Sequence, residues 1–203
     1  HCEMKKNDVF NQEKIALTLN KIYEDYSNKG YLQSYIMPDF KKTDNDGVVD
    51  VVYNIQENNK VYVGDIFIDG LVSTREGTIR REILLKSGDV LSSGKVRRSM
   101  EKIYNLGFID GAVPNILPTN TPDIMNLAFN ITEGKPGMIT AGAGYSSIDQ
   151  FVGSIQLQHM NLFGRAQRLN LLWEFGARRQ NYQIDWTEPW FLNKAMSLGL
   201  TVY

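Results

Sequence analysis

The sequence predicts two architectures in series: α+β repeats of β-α-α-β-β type, then antiparallel all-β strands of a transmembrane barrel that is incomplete in this chain. Three observations predict it. The run Val49-Asp50-Val51-Val52-Tyr53-Asn54-Ile55-Gln56-Glu57 recurs in character as Met125-Asn126-Leu127-Ala128-Phe129-Asn130-Ile131-Thr132-Glu133, at an offset of 76. Charge then thins out: residues 1–134 hold 16 Lys/Arg and 19 Asp/Glu, whereas residues 135–203 hold 6 and 4. Finally, from residue 150 onward apolar and polar residues alternate with a period of two.

The totals hide this split. Hydrophobic residues at 42%, charged residues at 22% and a net charge of -1 argue against disorder and against a nucleic-acid footprint. One Cys and two His cannot build a disulfide framework or a Cys/His zinc site. No run approaches the roughly 18 apolar residues of a spanning helix. The start His1-Cys2-Glu3 lacks the pattern of a signal peptide or a lipoprotein signal, and Tyr203 falls within a strand-like run. We read the chain as a piece of a longer protein.

In the first part, Ile15, Leu19, Ile22 and Tyr26 mark one face of a helix ending at Gly30. A strand is expected at 32–40 and another at 49–57. Residues 61–69, rich in β-branched and aromatic side chains, open the second unit as a strand. Ser73-x-x-Glu76 has the form of a capping box for a short helix with Ile79 and Ile83 inward, ended by Lys86-Ser87-Gly88-Asp89. Ser92 or Ser93 caps a second helix with Val96, Met100, Ile103 and Leu106 on one face and Gly107 just past its end. Strands follow at 108–117 and 124–132.

The second part begins after the turn-rich Glu133-Gly134-Lys135-Pro136-Gly137. Residues 138–146 form a strand of small side chains; clearer strands follow at 151–160, 165–176, 179–187 and 195–202. A soluble sandwich also alternates. Aromatic placement favours the barrel. If the first strand crosses to the far side, the far end collects Tyr145, Phe151, Trp173, Phe175, Tyr182 and Tyr203, and the near end Phe163, Trp186, Trp190 and Phe191.

These residues carry a resemblance. Gly70, Ile79-Arg80-Arg81-Glu82-Ile83, Gly88, Leu106-Gly107-Phe108 and Glu133 resemble the POTRA domain, though any small α+β domain shares part of that pattern. Gly142-x-Gly144-Tyr145-Ser146, Asn161-Leu162-Phe163-Gly164 and Asp185-x-Thr187-Glu188-Pro189-Trp190-Phe191 look like the opening strands of a BamA-type barrel placed directly after its last POTRA domain. The resemblance implies the C-terminal part of one POTRA domain at 1–58, a complete last one at 59–134, and the first five barrel strands at 135–203.

It also implies a function: assembly and insertion of β-barrel proteins into the bacterial outer membrane, with the POTRA domains in the periplasm. The expected partners are unfolded outer-membrane protein clients, accessory assembly lipoproteins and outer-membrane lipid, and no nucleic acid. Neither enzymatic activity nor a cofactor or metal is implied. Sheet edges at 32–40 and 108–117 offer unpaired backbone groups to a client strand. The resemblance makes the first barrel strand, Met138, Ile139, Thr140, Ala141, Gly142, Ala143, Gly144 and Tyr145, a lateral gate that pairs with the client. The expected lipid-facing residues are Leu169, Leu171, Ile184, Leu198 and Leu200; the expected membrane-interface aromatics are Phe163, Trp173, Trp186, Trp190 and Phe191. The alternatives are a polypeptide-secreting transporter of the same architecture and a soluble α+β/β-sandwich interaction protein.

Other candidate chemistry reads as structural. His159 sits on the apolar register beside a turn with no other His or Cys near in sequence. Arg80-Arg81 and Arg97-Arg98 read as solvated helix faces, and Arg178-Arg179 as a solvated loop pair. Gly142-x-Gly144 lacks the Gly-Lys-Ser/Thr of a phosphate loop. Asp149, Asp185 and Glu188 lack a paired-carboxylate context.

Overall fold

The computed structural model describes residues 8–43, 47–147, 150–177 and 180–203; Cys2, Asp149, Arg178 and Arg179 lie outside the described residues. The elements, in chain order, are α1 (Gln12–Asn28), β1 (Tyr35–Lys42), β2 (Val49–Gln56), β3 (Tyr62–Asp69), α2 (Glu76–Arg80), α3 (Ser93–Tyr104), β4 (Ile109–Pro118), β5 (Ile124–Glu133), β6 (Gly137–Ser146), β7 (Gln150–Leu162), β8 (Gln167–Gly176), β9 (Gln180–Glu188) and β10 (Leu198–Val202). Among the described residues no helix is long and apolar enough to cross a membrane, which says nothing of a β-barrel.

Two compact units emerge, and the chain passes between them several times. The first takes in residues 1–67, 84–99 and 114–128; the second takes in 68–83, 100–113 and 129–203. The sequence turn at 133–137 therefore does not separate them.

In the first unit, Asn11 caps α1 by accepting the Glu13 and Lys14 N–H groups. Gly30, two residues past the helix, takes a left-handed φ of 97°, which only glycine adopts at little cost. Its carbonyl accepts the Val61 N–H, and a Cβ there would overlap Val90. β1 and β2 form an antiparallel hairpin with Tyr35 opposite Gln56. Ile15, Val61, Val63, Leu85, Leu91, Val96 and Leu127 are buried. Ser92 Oγ accepts the Lys95 N–H, so Ser92 is the residue that caps α3.

In the second unit, Ile79, Ile103, Phe108, Ala112, Phe129 and Ile131 are almost wholly removed from solvent. Gly107 turns left-handed after α3, and its successor Phe108 anchors this core. The β3-β5-β4 sheet leaves β4 at an edge. The remaining strands make an antiparallel meander in the order β10-β9-β8-β7-β6, a barrel segment that is not closed.

Three expectations are corrected. Ser73 and Glu76 do not form a capping box: the residue capping α2 is Arg75, without a side-chain bond, and the Ser73 hydroxyl goes instead to the Glu133 carboxylate, 2.6 Å away. The short helix ends at Arg80, well before Lys86. The last strand starts at Leu198, not 195, because Leu192 and Asn193 adopt left-handed φ and the Phe191 N–H bonds to the Met196 carbonyl, closing a longer turn.

Candidate functional site: an open strand edge and the turns that hold the sheet

The five-stranded sheet has two chemically distinct faces, fixed by register. Ile139, Leu157, Leu171 and Ile184 stand in one row across β6, β7, β8 and β9, and Val202 of β10 continues it. Leu169, Trp186 and Leu200 form the next row. Leu198 lies opposite Glu188, one step further along that face. Large apolar side chains here stay open to their surroundings: Ile184, Leu198 and Leu200 are each exposed. The other face is hydrogen-bonded and polar. Gln156 Nε2 donates to Asn170 Oδ1 (2.7 Å), Asn170 Nδ2 to Asp185 Oδ2 (2.9 Å), and Gln183 Nε2 to the same oxygen (2.9 Å). A two-faced sheet with bare apolar rows is the pattern of strands that meet lipid on one side and an aqueous lumen on the other.

The aromatics sit where register puts the strand ends. Trp173 stacks on Tyr182 with planes 7° apart and meets Phe175 at 4.9 Å, while Tyr145 meets Phe151 edge-on. These are at the far end. Phe163, Trp186, Trp190 and Phe191 are at the near end, beside the 161–166 and 189–197 turns.

Strand β6 pairs only with β7, so its other edge is open among the described residues. Residues 138–145 (Met138, Ile139, Thr140, Ala141, Gly142, Ala143, Gly144, Tyr145) are all exposed. The glycines are not demanded by crowding inside this chain. A Cβ on Gly144 would meet Val152 at an ordinary 3.7 Å, and one on Gly142 would approach only the rotatable Ser154 hydroxyl. Among the described residues no side-chain bond ties β6 into the amide ladder that runs from Gln156 to Asp185.

The near-side turns are anchored. Asn161 Nδ2 donates to Thr74 Oγ1 (2.9 Å), while its Oδ1 accepts the Ala166 N–H (2.9 Å). The Gly164 carbonyl accepts the buried Thr78 hydroxyl (2.8 Å) and the Arg75 N–H (3.0 Å). Gly164 has φ 71°, and a Cβ would lie 2.5 Å from the Ser73 carbonyl oxygen, so glycine is required. Trp190 Nε1 donates to Glu82 (2.9 Å), and the Arg81 guanidinium lies 5.3 Å from the Trp190 ring centroid. Arg81 is thus not part of a solvated helix face, unlike Arg80, which pairs with Glu76 at 2.6 Å, and Arg97, which reaches Glu24 at 3.0 Å. Burial lowers the Arg81 pKa, partly countered by Glu82 and Glu188.

Glu133 holds the loop that leads to these contacts. Its carboxylate accepts N–H groups from Val72 (3.0 Å), Ser73 (3.0 Å) and Thr74 (2.9 Å), besides the Ser73 hydroxyl. Burial pushes this carboxyl up, but the donors from Ser73, Val72 and Thr74 outweigh it and hold its pKa at about 2. Glu133, Asn161, Arg81 and Glu82 all stand in motifs visible in sequence and Thr74 and Thr78 do not; the partners of Thr74, Thr78, Arg81 and Glu82 are not legible there, since each meets a turn some 80 to 110 residues away. Among the described residues no three His, Cys, Asp or Glu side chains converge as metal ligands.

This geometry, α+β repeats leading into an open membrane-type sheet, defines a class. The chain belongs to the POTRA family (surface antigen variable number repeat), which matches residues 2–58 and 61–134; the Omp85 superfamily domain matches 161–203. It is similar to the outer membrane protein assembly factor BamA of Nitratidesulfovibrio vulgaris (28% identity, 98% of this chain and 25% of that protein) and of Neisseria meningitidis (28%, 98% and 25%). The chain thus spans about a quarter of the curated relatives it matches. The crystal structure of BamA from Haemophilus ducreyi lacking POTRA domains 1–3 shares the fold, with a TM-score of 0.87 at 23% identity over 98% of this chain and 38% of that one. The BamA-type architecture, POTRA repeats leading into barrel strands, is the one this chain has.

Proposed function

We propose that the protein containing this chain assembles β-barrel proteins and inserts them into the outer membrane of a Gram-negative bacterium. Its POTRA repeats lie in the periplasm. We read residues 1–58 as the C-terminal part of one such repeat, 59–134 as the complete last one and 135–203 as the first five barrel strands. The observation that supports the mechanism is the composition of β6, an end strand of the sheet whose glycines at 142 and 144 are not demanded by crowding within this chain. A client strand can add there through backbone N–H and C=O groups, which need no particular client sequence. Residues 138–145 would form that gate strand, and the exposed edge of β4 would offer an earlier docking strand.

In this reading Leu169, Leu171, Ile184, Leu198 and Leu200 face lipid; Phe163, Trp173, Trp186, Trp190 and Phe191 mark its two interfaces. Unfolded barrel clients are the substrates, and accessory lipoproteins and lipid the further partners. The bare apolar rows and the polar amide ladder support the lipid-and-lumen assignment. The test is site-directed crosslinking in the full-length protein, with cysteines placed singly along 138–145 and along β10 against the last strand of a stalled client. Crosslinks confined to β6 and alternating along it are expected. Equal crosslinking at Leu200, or none at β6, would refute the mechanism.

A further inference from the structure

At the near end of the sheet's apolar face lies an open groove of about 690 Å³, whose lining includes Arg75, Arg81 and Arg165 together with Trp186, Phe191 and Leu192. We infer that this groove seats the phosphate of an anionic glycerophospholipid from the adjoining membrane leaflet. The inference rests on the lipid-facing assignment of that sheet face in the proposed function.

Three observations carry it. First, position: Trp186 stands in the same apolar row as Leu169 and Leu200, so the groove opens where acyl chains would end and headgroups begin. Leu192, 72% exposed on a left-handed turn, extends that apolar lining.

Second, charge: three guanidiniums line the groove against one lining carboxylate, Glu188. Glu188 already accepts the Gln167 amide and the Trp190 N–H, and among the described residues no carboxylate pairs with Arg75 or Arg165. Glu82 is shared among Trp190, Lys102 and Arg81, the last at 3.7 Å.

Third, incomplete satisfaction: the buried Nε of Arg81 has no hydrogen-bond partner among the described residues. Its terminal nitrogen donates to the Arg165 carbonyl (2.9 Å), which fixes the guanidinium, and the nearest carboxylate oxygen, on Glu82, lies 3.7 Å from its Nε, an ion pair without a hydrogen bond. Arg75 Nε is likewise oriented by the Phe163 carbonyl (3.1 Å). The planar guanidiniums of Arg75 and Arg165, without a paired carboxylate among the described residues, fit the oxygens of a phosphodiester, and Arg81 adds a third beside Glu82. The aromatic and aliphatic wall suits the glycerol and upper acyl carbons, which a free anion lacks.

The experiment uses the full-length protein in nanodiscs of phosphatidylcholine doped with phosphatidylglycerol, read by lipid retention in native mass spectrometry. Arg165→Gln keeps the backbone carbonyl that Arg81 uses and should weaken phosphatidylglycerol retention about fivefold; Arg75→Gln with Arg165→Gln should weaken it about thirtyfold. Retention equal to wild type in the double variant would overturn the inference. So would inorganic phosphate in detergent competing as well as the lipid, because the site would then be a free-anion site. Loss of a co-purifying protein subunit with lipid retention unchanged would make the groove a protein-docking surface and reject the lipid. A protein that stays soluble without detergent and enters no nanodisc would instead refute the membrane reading itself, and this inference with it.

Discussion

Replacing Glu133 by Gln tests how the loop that meets the barrel turns is held. The change keeps the shape but puts an amide NH2 where the carboxylate accepted the Ser73 N–H and hydroxyl, so donor faces donor. The carboxyl falls from 4.5 to about 2 on folding. At about 1.4 kcal/mol for each tenfold, that corresponds to about 3.4 kcal/mol, and solvent screening of a half-buried group reduces it to about 1.5–2 kcal/mol. A carboxyl whose folded pKa is depressed stabilises fully above its unfolded value and loses that contribution as pH falls through the folded one. The window is therefore pH 4.5 down to about 2. The assay is amide hydrogen exchange at Val72, Ser73 and Thr74 in the full-length protein in detergent. Glu133→Gln should lower their protection about ten- to thirtyfold at neutral pH, and the gap should close toward pH 2. A gap of the same size at both pH values, or none at neutral pH, would refute the carboxylate as the clamp.

Gly164→Ala forces a side chain onto φ 71° and against the Ser73 oxygen, and should cost about 1–3 kcal/mol in thermal unfolding of the full-length protein. Trp190→Phe removes the donor to a Glu82 that is only 7% exposed, and should cost about 1–3 kcal/mol in the same measurement; Lys102, 3.3 Å from the other oxygen, sets the lower end. Leu171→Arg on the apolar row should destabilise the membrane-inserted barrel by about 2–4 kcal/mol, read by denaturant unfolding in lipid, and no change would reverse the face assignment. Pro at Gly142 and Pro at Ala143 should be compared, because neighbouring N–H groups point to opposite edges: the one on the open edge should stop client crosslinking while leaving the sheet intact.

Local chemistry made much of this fold legible. Gly30 and Gly107 announce the ends of α1 and α3 because a left-handed turn there favours glycine. Alternation exposed β7, β8 and β9 because each strand must be apolar on one face and polar on the other. What stayed hidden depends on distant partners. Ser73-x-x-Glu76 has the local form of a cap, but a carboxylate 60 residues later takes the Ser73 hydroxyl. Arg81 reads as one of many helix-surface arginines until a turn more than 80 residues on covers it. Of the candidate site, the small side chains of β6 were readable; the Arg75–Arg81–Arg165 groove was not, since its walls come together only in three dimensions.

The Asn161–Thr74, Gly164–Thr78 and Trp190–Glu82 bonds bear on how such proteins can be recombined. The natural cut for building chimaeras is the repeat boundary near residue 134, where sequence similarity changes. A cut there severs a compact unit that runs through 68–83, 100–113 and 129–203. A transplanted repeat would arrive with Thr74, Thr78 and Glu82 aimed at turns it no longer owns. Exchange should succeed when the donor supplies both the repeat and the 161–166 and 189–197 turns, so the heritable module is larger than the repeat that sequence similarity outlines.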